Sequence, residues 1–437
     1  MSSPQPAHEA VFDWLYGLAQ FGIKFGLENM RAITAALGRP ERAFRSIHVA
    51  GTNGKGSVTA MVDAALRAAG VRTGRYTSPH LLDLSERFVI DGTPVSQVEL
   101  RDAVATVRDA VGRLRAGAVL DVHPTFFEVT TAVAFELFRR RAVDVAVCEV
   151  GLGGRLDATN VLSPMACAIT SIGFDHQQYL GRTLAEIAAE KAGIIKPATR
   201  VVLGPVAVEA SEVISRRAQE LSAPLLRALD DVSLGNITEL SDGRQQFSLR
   251  TPAHDYRTLT LPLAGRHQIQ NAIVAVRLLE QVTAAGLPIA PGAIVDGLAD
   301  VRWEGRLQRI RVDERREVLL DAAHNEQGAA ALADYLASHP PASPLVFAVM
   351  RDKDIEPILR TLAPCVSSIV LTRASNPRSA DPSDVAALLE RVAPHLRVRV
   401  AGSPLLALTQ AWEESPFVLV SGSIFLLADV MRGLGRS

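Results

Sequence analysis

Ala50-Gly51-Thr52-Asn53-Gly54-Lys55-Gly56-Ser57 is the stretch on which the fold turns. It follows a short apolar run, Ile47-His48-Val49-Ala50. It precedes a helical pattern in which Val58, Met61, Val62, Ala65, Leu66 and Ala69 share one face. A strand, a Gly-rich turn and a helix in that order form a phosphate cradle. Glycines let backbone N–H groups turn toward an anion, and the helix N-terminus adds partial positive charge. Lys55 would hold phosphate oxygens, and the Ser57 hydroxyl would ligate magnesium. The spacing departs from G-x-x-x-x-G-K-[ST], because Gly56 separates Lys55 from Ser57. The alternative is an ordinary Gly-rich turn between strand and helix.

Outward from this loop the chain alternates strand and helix. Arg45–Ala50, Val71–Thr77, Val143–Val150, Ala166–Ser171 and Arg200–Leu203 read as strands, and Val143–Val150 is apolar enough to be a central parallel strand buried on both faces. Helices are expected over Ser96–Leu114, from Thr125 to about Arg141, and over Thr183–Ala192, Ala207–Leu221 and Gly265–Ala285. The earlier stretch Phe12–Leu37 reads as helical pieces broken by Gly22-Ile23-Lys24-Phe25-Gly26. Leu225–Leu263 reads as a small antiparallel addition. After Asp300–Trp303 the pattern restarts, with strands at Gln308–Val312, Val318–Asp321, Leu345–Val349, Ser368–Leu371, Arg397–Val400 and Phe417–Val420 between helices. The expected fold is α/β: an N-terminal phosphate-loop-type parallel sheet domain with a small antiparallel addition (1–299), then a C-terminal Rossmann-like α/β domain (300–437).

Composition narrows the function. The 437 residues are 48% hydrophobic and 21% charged, enough to bury sizeable cores. Lys+Arg is 46 against 47 for Asp+Glu, so no basic footprint for nucleic acid and no bias toward an anionic membrane exists. No apolar run of about 18 residues is present, and the polar first ten residues hold no secretory pattern. Cys148, Cys167 and Cys365 make no C-x-x-C pair, and the first two fall in apolar runs as inert thiols. A reducing, cytoplasmic setting is expected.

In an open parallel sheet, ligands sit beyond the C-terminal ends of the strands. Lys55, Ser57, Ser78, Glu149, His176 and Asp321 all follow or close such strands. Glu149, ending an apolar strand, needs a partner, because an isolated buried charge is costly. Magnesium held between phosphates and protein oxygens would supply one; a salt bridge to Arg155 is the alternative. His176 reads by default as a hydrogen-bonded structural residue, since magnesium prefers oxygen. Lys191 reads by default as a helix lysine in an ion pair, and Asn325 as the cap of a strand–helix turn.

Taken together, His48 through Ser57, Thr77-Ser78-Pro79-His80-Leu81, Glu149 through Asn160, Asp175-His176, Glu190 through Ile194, Gly265 through Asn271, Glu304-Gly305-Arg306 and Asp321 through Asn325 resemble folylpolyglutamate synthase and its form bifunctional with dihydrofolate synthase, within the Mur ligase superfamily. The segments run in family order over nearly the whole chain, and Gly56 is the family's own form of the loop. The resemblance implies an ATP-dependent amide ligase that adds L-glutamate to folates and to dihydropteroate through an acyl phosphate. It implies that Asn53, Gly54, Lys55, Gly56, Ser57, Asn271, Arg306 and Asp321 bind ATP. Ser57, Ser78, Glu149 and His176 would surround two Mg2+ ions. Lys55, Glu149, His176 and Lys191 would serve catalysis, Lys191 as a carbamate. Lys24 and Gly26 (within Gly22–Leu27), Thr125, Phe126, Phe127, Glu128, Leu156, Asp157 and Ala158 would hold the pterin part, and His324 and Ser423 the incoming glutamate. The expected partners are small molecules only, with no nucleic acid and no membrane, and a monomer. A Mur-type cell-wall ligase, a phosphate-loop kinase or motor ATPase, and a nucleotide-binding scaffold without turnover are the rivals.

Overall fold

Strand β1 (Arg45–Ala50), which feeds the Gly-rich loop, lies well inside an eight-stranded sheet. The computed structural model describes residues 6–22, 24–339 and 341–436; Ile23, within the expected Gly22–Leu27 segment, lies outside the described residues. The other strands of this sheet are β2 (Thr73–Tyr76), β3 (Phe88–Ile90), β4 (Thr93–Pro94), β5 (Val145–Glu149), β6 (Ala166–Ile169), β7 (Arg200–Leu203) and β8 (Leu225–Arg227). Their order is β4-β3-β2-β5-β1-β6-β7-β8. From β2 to β8 all pairings are parallel, and β3 and β4 add an antiparallel edge that the sequence pattern does not disclose. β5 sits between β2 and β1 with every residue buried, as its apolar run requires.

The period of two decides what each strand touches. Val145 and Val147 face the helices Lys55–Ala68 and Arg266–Ala284, while Ala146 and Cys148 face the helices Gln97–Ala116 and Phe126–Arg140. Those last two helices begin at Ser96 and Thr125, whose hydroxyls cap Glu99 N and Glu128 N in reciprocal capping boxes. The helix Lys55–Ala68 departs from the expected one-sided pattern. Besides its apolar stripe, Ser57, Thr59, Ala60, Asp63 and Ala64 are buried, because the helix Pro291–Asp300 covers its outer side. Gly297 permits that approach: a Cβ there would lie 2.3 Å from Ala65 Cα.

The antiparallel addition is smaller than its sequence span. Strands β9 (Ser233–Glu239), β10 (Gln245–Arg250) and β11 (Asp255–Leu261) form it. Leu225–Arg227, expected to belong there, instead extends the large sheet as β8, parallel to β7. The intervening helix Val208–Glu220 supplies the crossover that a parallel pair needs.

A second sheet uses β12 (Gln308–Arg311), β13 (Glu317–Asp321), β14 (Ser343–Phe347), β15 (Val366–Leu371), β16 (Arg397–Val400) and β17 (Phe417–Ser421), in the order β12-β13-β17-β14-β15-β16. It is parallel except for β12, which pairs antiparallel with β13 through a tight turn, a correction to the all-parallel expectation. Apolar clusters line both of its faces, as in a doubly wound sheet. Among the described residues no helix is long and apolar enough to cross a membrane.

Candidate active site

Parallel register brings the strand ends together. Val49 pairs with Glu149, Ala50 with Ile169, and Tyr76 with Cys148. The residues just beyond these ends therefore share one edge: the loop Gly51–Ser57 after β1, Ser78 after β2, and Asp175-His176 after β6. All four residues expected around metal, Ser57, Ser78, Glu149 and His176, line one cavity of ≈ 480 Å³ with Lys55, Lys191, Asn271, Arg306 and Asp321.

The loop is built to keep its amides fixed. Thr52 N donates to Ser171 O (2.8 Å), Asn53 N to Ser171 Oγ (2.9 Å), and Ser171 Oγ to Asn53 O (3.0 Å). Gly54 has φ +83°, in the left-handed region, and a Cβ there would sit 2.4 Å from Asn271 Oδ1. Lys55 Nζ donates to Gly51 O and Thr52 O, both at 3.0 Å. Gly56, the residue that breaks the usual spacing, has a physical reason: a Cβ there would meet the Trp303 ring at 2.5 Å. The guanidinium of Arg75 lies 5.4 Å from the centroid of that same ring. Gly56→Ala is expected to cost about 1–3 kcal/mol of stability from overpacking and to weaken ATP binding. Urea denaturation and nucleotide titration check it, and unchanged values for both would mean that Trp303 swings away freely.

Glu149 is 5% exposed and accepts from Ser78 N at 3.2 Å. Burial pushes its carboxyl upward, and Lys55 pulls it back. Arg155, the alternative partner, instead pairs with Glu190 at 2.7 Å. Lys191 is 4% exposed and makes no ion pair among the described residues. Its Nζ donates to Gly51 O at 2.9 Å. Burial and then Lys55 lower its pKa to about 7, so a large share of the amine is neutral near pH 7. Burial likewise lowers Lys55, against the pull of Glu149 and Asp175.

The second sheet reaches this edge from the other side. Asp321, closing β13, is fixed by Leu307 N (3.0 Å) and Ala323 N (2.9 Å). Asn325 caps the helix Glu326–Ala337 and also exchanges hydrogen bonds with Asn53 (3.0 and 3.1 Å), and Gln327 accepts from Asn53 at 2.9 Å. Lys353, in the loop after β14, bonds Asp175 at 2.6 Å and lies 3.2 Å from His176 Nε2. His324 stands 3.4 Å from Asp175. Burial opposes the Asp175 charge, but His324 and Lys353 hold its carboxyl far below the usual range. Burial lowers His176 to about 4, so its ring is neutral near pH 7. The sequence reading gives Lys353 no part in the site, and Asp175 enters it only beside His176 in a segment that carries the resemblance. The usable signal was the position of Met350-Arg351-Asp352-Lys353-Asp354 after a parallel strand.

A second cavity of ≈ 360 Å³ shares Ser78, His176, Arg306 and His324 with the first. Lys24, Gly26, Thr125, Phe127, Glu128, Leu156, Asp157, Ala158 and Ser423 line it. Phe126, expected beside them, is not among the lining residues; it lies against Tyr16 and under Arg87. Helix periodicity explains this, since Phe126 and Phe127 point about 100° apart. Asp157 accepts from Leu152 N (2.9 Å) and Thr159 N (3.0 Å). Glu128 Oε2 accepts from Thr125 N at 2.8 Å, whereas its buried Oε1 has no partner among the described residues.

A buried histidine lies against Thr159, the residue whose hydroxyl bonds Asp157. His48, in β1, is 0% exposed, and burial lowers its pKa to about 3, well below the ordinary histidine value. A depressed folded pKa means stability that is present above the unfolded value and lost as pH falls toward the folded one. His48 is thus expected to contribute about 2 kcal/mol of destabilisation between pH 7 and pH 5. Unfolding at both pH values checks this, with His48→Gln reducing the acid loss by that amount; an equal loss in both proteins would contradict it.

The comparisons with known proteins agree in extent. Residues 49–279 match the Mur ligase middle domain, and residues 305–424 the Mur ligase glutamate ligase domain. Dihydrofolate synthase/folylpolyglutamate synthase of Bacillus subtilis is 33% identical over 450 residues, covering 98% of this chain and 99% of that protein. The Mycobacterium tuberculosis folylpolyglutamate synthase solved with ADP and AMPPCP superposes with a TM-score of 0.91 at 35% identity, over 98% of this chain and 99% of that one. Escherichia coli FolC in complex with DHPP and ADP gives 0.85 at 30% identity, over 97% of each chain. A phosphate loop, a second sheet closing over it and similarity along almost the full length converge: the chain belongs to the Mur ligase family, among its folylpolyglutamate and dihydrofolate synthases.

Proposed function

We propose that the chain is an ATP-dependent ligase that adds L-glutamate to folates and to dihydropteroate, with residues 1–299 carrying the nucleotide loop and 300–437 the glutamate side. The observation that carries this reading is the junction of two cavities, one at the phosphate loop and one at Asp157, through Ser78, His176, Arg306 and His324. A triphosphate in the first and a pterin acid in the second would bring the γ-phosphorus to the acid's carboxylate.

A carboxylate resists attack by an amine because it is anionic and its oxide leaves poorly. Transfer of the γ-phosphoryl group removes both obstacles: a carboxylate-oxygen–phosphorus bond forms and the bond to ADP breaks. The glutamate amine then attacks the acyl carbon, and phosphate leaves. Lys55, released from Gly51 O and Thr52 O, would hold the transferring phosphoryl oxygens, with the loop amides behind it. Asn271, Arg306 and Asp321 would seat the nucleotide, and the meeting of the two sheets excludes water from the acyl phosphate. Asp157 and Glu128, which both line the second cavity, would accept from ring N–H groups of a pterin. His324 and Ser423 would receive glutamate.

The donor set suits magnesium. The Ser57 and Ser78 hydroxyls and the Glu149 carboxylate are hard oxygens, and magnesium usually takes only one or two carboxylates plus phosphate oxygens and water. His176 would complete the two-ion set. When bound, the ions neutralise charge on the phosphoryl group. The neutral share of Lys191 amine is the form that adds carbon dioxide, releasing a proton and giving a carbamate whose oxygens are also hard donors.

One assay panel tests the reading: ATP and glutamate with dihydropteroate in one tube and tetrahydrofolate in another. Glutamate-dependent ADP release with an amide product is expected. ADP release without amide, or tight ATP binding without turnover, would overturn it.

A further inference from the structure

Asp157 is not held by backbone alone. Thr159 Oγ donates to Asp157 Oδ1, and His48 Nε2 lies 2.8 Å from that same hydroxyl. His48 and Thr159 are each 0% exposed, and 111 residues separate them in the chain. The direction of the chain of bonds follows from proton counting. An ionised carboxylate only accepts, and a hydroxyl has a single proton. That proton goes to Asp157, so the bond between Thr159 and His48 requires a proton on His48 Nε2. Nδ1 is then bare, and it is indeed buried without a partner among the described residues. A ring chosen only to fill a sheet interior would not keep an unpaired nitrogen, since an aliphatic side chain fills the same space without it.

We propose that His48 and Thr159 are positioning residues for substrate recognition: His48, as the Nε2–H tautomer, orients the Thr159 hydroxyl, which holds Asp157 with its free acceptor capacity turned to the pterin cavity. The strand that presents the phosphate loop thereby also sets the geometry of the pterin acceptor. This inference rests on the assignment of Asp157 to the pterin.

Steady-state kinetics with ATP and, separately, dihydropteroate and tetrahydrofolate test it. Thr159→Val, nearly isosteric, is expected to raise KM for the accepted pterin acid roughly tenfold while ATP KM moves less than about twofold. Thr159→Ser restores the wild-type value. His48→Gln, whose amide nitrogen can stand where Nε2 stood, stays near wild type, whereas His48→Leu matches Thr159→Val. The double variant His48→Leu with Thr159→Val is no worse than either alone, as members of one chain of bonds should behave. If Asp157→Ala raises pterin KM and the Thr159 and His48 variants do not, the relay is wrong and the pterin assignment stands. If Asp157→Ala leaves pterin KM unchanged, both fall. Equal loss toward ATP and pterin would also overturn the relay. Nitrogen-15 NMR of the histidine-labelled wild-type protein needs no variant: His48 must show a protonated Nε2 and bare Nδ1, and the opposite tautomer overturns the proposal.

Discussion

Lys55→Ala is expected to lose roughly a hundred- to a thousandfold in kcat, the scale of removing one preorganised group from a developing charge. Lys55 is the cation of the loop, and its Nζ rests on two backbone carbonyls of that same loop. Those bonds are the kind a lysine can exchange for phosphate oxygens without moving its stem. The loop itself is held by Ser171 and by the close fit of Gly54 against Asn271, so truncation of Lys55 should leave the fold intact. ATP binding should weaken less than turnover falls, because the amides and the helix N-terminus remain. Single-turnover kinetics with saturating ATP separate the two effects. Near-normal turnover would remove the loop from the mechanism.

Lys353→Met should cost about 3–5 kcal/mol in stability, because it takes from a buried carboxylate the lysine that pairs with it at 2.6 Å. The two side chains are 8% and 9% exposed, so water compensates little. Asp175 would keep only His324 at 3.4 Å and the Asn325 amide at 3.2 Å. The pair joins a loop of the first sheet to a loop of the second, and Lys353 also stands beside His176, so turnover should fall with stability. Adding Asp175→Asn should recover most of the loss, since the orphaned charge then disappears. Urea denaturation of the two single variants and the double variant measures the coupling. A cost under about 1 kcal/mol for Lys353→Met would mean that the pair does not dock the two sheets.

The sequence discloses most elements because their ends are punctuated. Pro404–Trp412 begins on a proline after a serine cap, and Arg397–Val400 has the bounds its pattern suggests. The strand-end rule likewise gathers Lys55, Ser57, Ser78, Glu149 and His176 before any coordinates, since register follows from parallel pairing. What it misses are contacts between distant segments. Lys353 and Asp175 are 178 residues apart, and nothing local in either loop names the other. β8 has three residues, too few for periodicity to show that it joins the large sheet. Arg155 near Glu149 in sequence suggested a pair, but the turn between them sends Arg155 to Glu190.

The chain has three tryptophans, Trp14, Trp303 and Trp412, and of these Trp303 is the one packed on Gly56 of the phosphate loop. An indole set against that glycine and 5.4 Å from the Arg75 guanidinium is a built-in optical gauge. Its emission should respond as nucleotide occupies the loop, so occupancy can be followed in unlabelled protein, with Trp14 and Trp412 supplying a constant background.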